Sequence, residues 1–187
     1  MTLRADSARV RAQMLAAARE RVRAGDLDLP MNAIAKDAGV GVGTAYRHFA
    51  NRQALLEALA AESLGALVTD AEAAAADPEP AAGFATLLRN ALRLLRDDPT
   101  LAVVLASAAQ PACLDATTDL HARLGTAVTT VLSRARAAGA VRSDVTADDV
   151  RRLICGVQHA VGAGADADAG AEERYLDILL AGLRAPR

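Results

Sequence analysis

Met31-Asn-Ala-Ile-Ala-Lys-Asp-Ala-Gly-Val-Gly-Val-Gly-Thr-Ala-Tyr-Arg-His-Phe49 is the stretch whose reading decides the fold. Ile34, Ala35 and Ala38 make one apolar face of a short helix, and Ala35 is small enough for a second helix to cross it closely. Gly39 stands where the chain must turn sharply, and glycine accepts a left-handed backbone at little cost. Val40 can plug the corner. On the next helix Val42, Ala45 and Phe49 recur at i, i+3 and i+7, and are expected to face inward. Gly43, Thr44, Tyr46, Arg47 and His48 are then left facing out.

That outward set differs from an ordinary solvated face. It carries hydroxyls, a guanidinium and an imidazole, and no acid. Thr, Tyr and His can donate to phosphate oxygens, and Arg can take guanine O6 and N7 with two hydrogen bonds. The missing side chain at Gly43 lets backbone amides approach a phosphate. Two short helices joined by a tight turn, the second with such a face, read as a helix-turn-helix with its groove reader. Arg52, at the start of the following helix, is placed to clamp a flanking phosphate.

Working outward, helical periodicity continues in both directions, and about nine helices can be read. Val10, Met14, Ala18 and Val22 stripe a first helix over 7–24, ended by Gly25. The two short helices span 31–38 and 42–50. Asn51 can cap a fourth that runs to Ala76, where Asp77-Pro78-Glu79-Pro80 breaks the chain. A fifth helix over 82–96 carries Phe84, Leu87, Leu88, Ala91 and Leu95 on one stripe. Asp98-Pro99 reads as the N-cap and first position of a sixth. A seventh over 115–138 is striped by Leu120, Leu124, Val128, Val131 and Ala135. Thr146 and Asp149, at capping-box spacing, open an eighth to Ala163. The ninth, 172–183, turns Leu176, Leu179, Leu180 and Leu183 inward. No segment alternates apolar and polar residues at strand length, so the fold class is all-α.

Composition agrees. Of 187 residues about half are apolar, only four are aromatic, and there is no Trp. A core of Leu, Val, Ile and Ala favours helices. The longest apolar run, 101–109, is too short to span a bilayer, and the first eleven residues carry no apolar leader segment, so a cytoplasmic protein is expected. The net charge of −2 hides an asymmetry: residues 1–52 carry nine basic against five acidic side chains, and residues 53–187 twelve against eighteen. A basic reading head on an acidic body has this distribution.

The pattern Ile34-Ala35-x-x-Ala38-Gly39-Val40 … Gly43-Thr44-x-Tyr46-x-His48-Phe49 … Leu55 resembles the TetR family of repressors over residues 8–60. The resemblance implies a ligand-responsive transcriptional regulator, a repressor that binds palindromic operator DNA as a homodimer and is released by a small-molecule effector. Residues 1–51, extending into the fourth helix to about 62, would be the DNA-binding head, and 63–187 the ligand-binding and dimerisation domain. Thr44, Tyr46 and His48 would contact the DNA backbone. Val42, Gly43 and Arg47 would lie along base edges, with Asn32 near the groove wall. Arg52 stands where the family usually has Lys. Gly41 stands where it commonly has Ser, which weakens a helix cap, and Val22 where it often has Phe. The last two helices would form the dimer interface, with Gly156 and Gly162 permitting close contact.

The effector site is less defined. Polar residues on otherwise apolar helices single out Cys113, His121 and Gln158 as ligand-binding candidates. With so few rings in this half, a smallish aliphatic or weakly polar effector is expected rather than a flat aromatic one. Cys155 and His159, at i and i+4, could share a metal, but no tighter Cys/His cluster supports one, and neither metal nor cofactor is expected. The alternatives are an interaction module that kept the fold without DNA binding, and an enzyme using Cys113 with His121 or Cys155 with His159. No glycine-rich loop or carboxylate pair accompanies either Cys/His set, so no catalytic activity is expected.

Overall fold

The computed structural model describes residues 3–107, 114–162 and 170–185. Among them are nine helices and no strand: α1 (Leu3–Arg23), α2 (Met31–Asp37), α3 (Val42–His48), α4 (Arg52–Ala76), α5 (Pro80–Asp97), α6 (Pro99–Ala106), α7 (Asp115–Ala137), α8 (Ala147–Gly162) and α9 (Ala171–Leu183). The local signals act where the sequence places them. Asn51 Oδ1 accepts from the Ala54 amide at 2.9 Å, and Asp98 Oδ1 accepts from the Thr100 amide at 2.9 Å. Thr146 and Asp149 close a reciprocal capping box, with bonds of 2.8 and 3.1 Å. Gly41, as expected of a residue without a hydroxyl, caps α3 with no side-chain bond. α5 begins at Pro80, earlier than its apolar stripe suggests, because proline is at ease in the first turn.

α4 is the axis of the molecule. Its first turns pack on α1, and the rest is wrapped by α5, α6 and α7, with α8 laid across α5 and α9 against α8. Leu55, Leu56, Ala60, Leu64, Val68 and Ala71 along it are fully buried. The turn between α4 and α5 is tight. Asp77 Oδ1 accepts from the Glu79 amide, and a Cβ on Gly83 would lie 2.8 Å from the Ala74 carbonyl oxygen. No larger residue fits there.

Two stripes behave differently from expectation. On α3, Ala45 and Phe49 are buried but Val42 is 45 % exposed. The helix is only seven residues long, and Phe49 is already extended at its C-cap (φ −137°, ψ 108°). The i, i+3, i+7 stripe is therefore not one continuous helical face, and Val42 joins the open side, one turn before Tyr46. On α9, Leu176 and Leu183 are buried, whereas Leu179 and Leu180 are half-buried beside Ile178. Among the described residues, Leu153 and Ile178 are large apolar side chains left exposed on this side of α8 and α9. No helix among the described residues is long and apolar enough to cross a membrane.

Candidate functional site

α2 and α3 meet as the sequence dictates. The chain leaves α2 through Gly39 at φ +67°, and the Val40 amide bonds back to the Ala35 carbonyl at 2.9 Å, an end that a glycine in the left-handed region supplies. Ile34, Ala35, Ala45 and Phe49 are buried together. Phe49 is held from the other side by α1: the Arg11 guanidinium sits 4.4 Å from its ring centroid and Arg11 Nη1 donates to the His48 carbonyl at 3.5 Å. α3 is thus pinned at its C-terminal end, and its free face carries Val42, Gly43, Tyr46 (47 % exposed) and Arg47. Thr44 and His48 are half-buried at its edges, and Asn32 is exposed on α2. Arg47 Nη2 donates to Thr44 Oγ1 at 2.8 Å, so the guanidinium lies back along its own helix. Lys36, one turn after Asn32 on α2, is also exposed. The sequence reading passed over it, although the i, i+4 spacing from Asn32 signals it.

Arg52 is the site residue whose surroundings differ most from its expected role. Its Nε donates to the Asp28 carbonyl at 2.6 Å and one Nη to the Leu27 carbonyl at 2.7 Å. The guanidinium ties the start of α4 to the α1–α2 loop, leaving only its remaining N–H groups for a phosphate. The same loop is held by Arg21, which bridges Asp26 (2.8 Å) and Asp37 (2.6 Å). That bridge holds Arg21 above its usual pKa and Asp26 below its own. Between these ties, Leu29 is fully buried at φ +45°, a conformation that a non-glycine residue keeps only when its surroundings hold it.

The body holds a cavity of about 300 Å³. Its walls are Leu67 on α4, Phe84, Leu87, Leu88 and Ala91 on α5, Leu105 on α6, His121 to Val131 on α7, and Ala147 to Ile154 on α8. In the first half of the α7 stripe, half-buried Leu124 and Val128 pack at the edge of the core and also line the cavity. Of the three ligand candidates, His121 lines this cavity. Gln158 is half-buried further along α8 and is not in its wall, and Cys113 lies outside the described residues. Asp148 and Arg151 in the first turns of α8 are polar wall residues that the sequence reading missed. Their i, i+3 spacing looked like an ordinary solvated pair, and only the stripe Ala147, Val150, Ile154 beside them hints at the wall.

Below the cavity, Glu57 of α4 is completely buried. Its Oε2 accepts from the Leu114 amide at the start of α7 (2.9 Å) and its Oε1 from Gln53 Nε2 (3.2 Å), which also reaches Ser107 Oγ at the end of α6 (3.2 Å). Burial pushes the His121 imidazole below its usual pKa, against the opposing pull of the Glu57 charge. Burial likewise pushes the Cys155 thiol up, toward the protonated form that is a poor nucleophile and metal ligand. His159 is exposed beside it.

Comparison with known proteins now decides the family. Residues 14–59 match the model of bacterial regulatory proteins of the tetR family, and residues 79–185 match the C-terminal domain of SbtR-like transcriptional regulators. A TetR transcriptional regulator from Streptomyces coelicolor is 31 % identical, with 95 % of this chain and 99 % of that one covered at a TM-score of 0.55. This chain belongs to the TetR family. It is a DNA-binding transcriptional regulator and not an enzyme. Two more distant structures share the fold. The ketosteroid transcriptional regulator KstR2 of Mycobacterium tuberculosis is 20 % identical at a TM-score of 0.63, over 94 % of this chain and 95 % of that one. FadR of Bacillus subtilis, solved in complex with stearoyl-CoA, is 21 % identical at a TM-score of 0.57, over 92 % and 99 %. No curated protein sequence matches the chain.

Proposed function

We propose that this TetR-family protein is a repressor that binds a palindromic operator as a homodimer and leaves it when a small molecule fills the cavity of its body. Residues 1–51, continued into α4 to about 62, are the reading head, and 63–187 bind the effector and the second copy. The observation that carries this reading is the acid-free open face of α3, pinned at one end by Arg11 and Phe49, in a chain whose body is hollow. In the groove, Arg47 swings off Thr44 to a base edge, with Val42 and Gly43 beside it. Thr44, Tyr46 and His48 donate to phosphates, and Asn32 and Lys36 stand at the groove wall. Arg52 offers a phosphate the N–H groups that Leu27 and Asp28 leave over.

The homodimer is supported by the exposed apolar side chains on α8 and α9. Leu153 (41 % exposed) and Ile178 (64 % exposed) are large apolar side chains there. A Cβ at Gly156 or Gly182 would meet nothing, so a second pair of helices has room to approach closely. Two heads then meet half-sites about one helical turn apart, roughly 34 Å. A gel shift with the DNA flanking its own coding region tests the reading. A retarded complex that Arg47→Ala weakens and a small molecule dissolves is expected. Failure of the wild-type protein to bind any such duplex overturns it.

A further inference from the structure

The cavity has one thin place. The residues of its wall are buried or half-buried except two: Gly125 on α7 and Asp148 on α8 are exposed to solvent while also lining it. Gly125 puts no side chain there, and a Cβ at that position would touch nothing. Beside Asp148, two guanidiniums share its carboxylate: Arg151 Nη2 lies 2.5 Å from Oδ1 and Arg152 Nε 2.7 Å from Oδ2, and Arg151 Nη1 donates to the Leu105 carbonyl at 2.9 Å. Beside this gap, one turn before Gly125, is His121. Its Nε2 is sealed beneath neighbouring atoms without a hydrogen-bond partner.

We propose that the gap between Gly125 and the Asp148–Arg151 pair is the entrance to the cavity, and that the molecule it admits is an uncharged aliphatic alcohol, hydrocarbon inward and its hydroxyl left at His121 beside the entrance. This rests on the reading of the cavity as the effector site. The size follows from the volume: about 300 Å³ is roughly ten water-sized groups at ~30 Å³ each. The walls beyond His121 are Leu, Val, Ile, Phe and Ala, which favours hydrocarbon.

Charge is disfavoured on both sides. Arg151 is the cation of the wall and is already tied to Asp148 and Leu105; Arg152, which shares Asp148, lies outside the wall. The buried Glu57 carboxylate acts on the same His121, so an anionic head would add a second negative charge in a poorly solvated place. The oxygens of Glu57 already accept from Leu114 and Gln53, and the desolvation of an ammonium group would go uncompensated. Burial keeps the imidazole in its neutral form, and a neutral ring nitrogen either donates or accepts according to its tautomer. A hydroxyl suits both. The ring torsion of histidine is broad, and a turn about it brings a nitrogen from its sealed position to the cavity.

The experiment uses the full-length protein without DNA and three probes of one length, 8-fluoro-1-octanol, 8-fluorooctanoate and 8-fluorooctylamine, followed by fluorine NMR. The alcohol is expected to bind at least tenfold tighter than either charged analogue. His121→Phe should weaken the alcohol about fivefold or more, as loss of one hydrogen bond does, while His121→Gln, which keeps a polar group, should recover part of it. Gly125→Phe adds a ring across the gap on a helix that has open space for it, so the protein stays folded, and exchange of the bound alcohol should slow at least tenfold. Equal or tighter binding of the carboxylate or the amine overturns the ligand class. Wild-type exchange rates in Gly125→Phe overturn the entrance. An alcohol that binds in this way yet leaves an operator complex intact refutes the effector reading and leaves this site standing.

Discussion

Removing the Glu57 carboxylate should damage the fold far from any surface. In Glu57→Ala the Leu114 amide loses its acceptor at 2.9 Å and Gln53 Nε2 its acceptor at 3.2 Å. Hydrogen bonds to a charged group contribute about 1.5–3 kcal/mol each, more than neutral ones. The two together would cost about 3–6 kcal/mol, and relief from burying a charge returns about 1–2 kcal/mol of that. A net loss of about 2–4 kcal/mol remains, because the orphaned groups stay buried. At about 2–4 °C per kcal/mol for a chain of this size, the melting temperature should fall by about 4–16 °C. Glu57→Gln keeps one acceptor for Leu114 but turns an amide toward Gln53, and should lose less than half as much. Urea denaturation followed by circular dichroism, at one fixed protein concentration because self-association would make stability depend on it, measures both. If Glu57→Ala loses less than about 0.5 kcal/mol, the side chain is not the clasp that its bonds describe.

Arg47→Ala should weaken operator binding by about 1–3 kcal/mol and relax the preference at one base pair, read by gel shifts on a set of single-base variants. Arg52→Lys keeps the charge, but one ammonium cannot serve both carbonyls, so the melting temperature should fall by about 2–6 °C while the salt dependence of DNA binding holds. Arg52→Ala should in addition flatten that dependence by about one phosphate. If Arg52→Lys melts like the wild type, the tie to the α1–α2 loop is not holding the head. The His121 imidazole is held below its usual pKa of 6.5, so the folded state binds fewer protons than the unfolded one. Its contribution is complete above about pH 6.5 and lost as pH falls through the lowered value. Urea midpoints at pH 7.5 and 5.5 should differ less in His121→Phe than in the wild type. Gly83→Ala should cost about 1–3 kcal/mol through its clash with Ala74, whereas Gly125→Ala, in open space, should gain up to about 1 kcal/mol, both read from thermal melts.

Helix ends were legible because their causes are local: Asn51, Asp98, Thr146 with Asp149, and Gly39 each act within four residues. The helix-turn-helix was legible because its turn, its small crossing residue and its acid-free face lie within twenty residues. Val42 was misplaced because a seven-residue helix does not hold a stripe over seven positions. Of the cavity wall His121 was the one residue picked out as a ligand candidate, because the wall is assembled from five helices, and a stripe such as Leu124 and Val128 at a cavity has the same spacing as a fully packed one. Arg52 and Glu57 escaped for a related reason. Each is a charged residue bonded to a main-chain group more than twenty positions away, and composition carries no trace of such a bond.

The position of Glu57 along α4 has a mechanical consequence. At about 1.5 Å per residue, the 25-residue helix is roughly 37 Å long, and Glu57 lies about 7–8 Å from its Arg52 end. Leu67 in the cavity wall lies about 15 Å to the other side. A rigid rod held at Glu57 is an unequal lever whose long arm lies at the cavity. A sideways push of 1 Å there would become about 0.5 Å at Arg52, with the force doubled. The same rotation would carry the α1–α2 loop, which is fastened to the rod's short end, and swing α3 at a still larger radius.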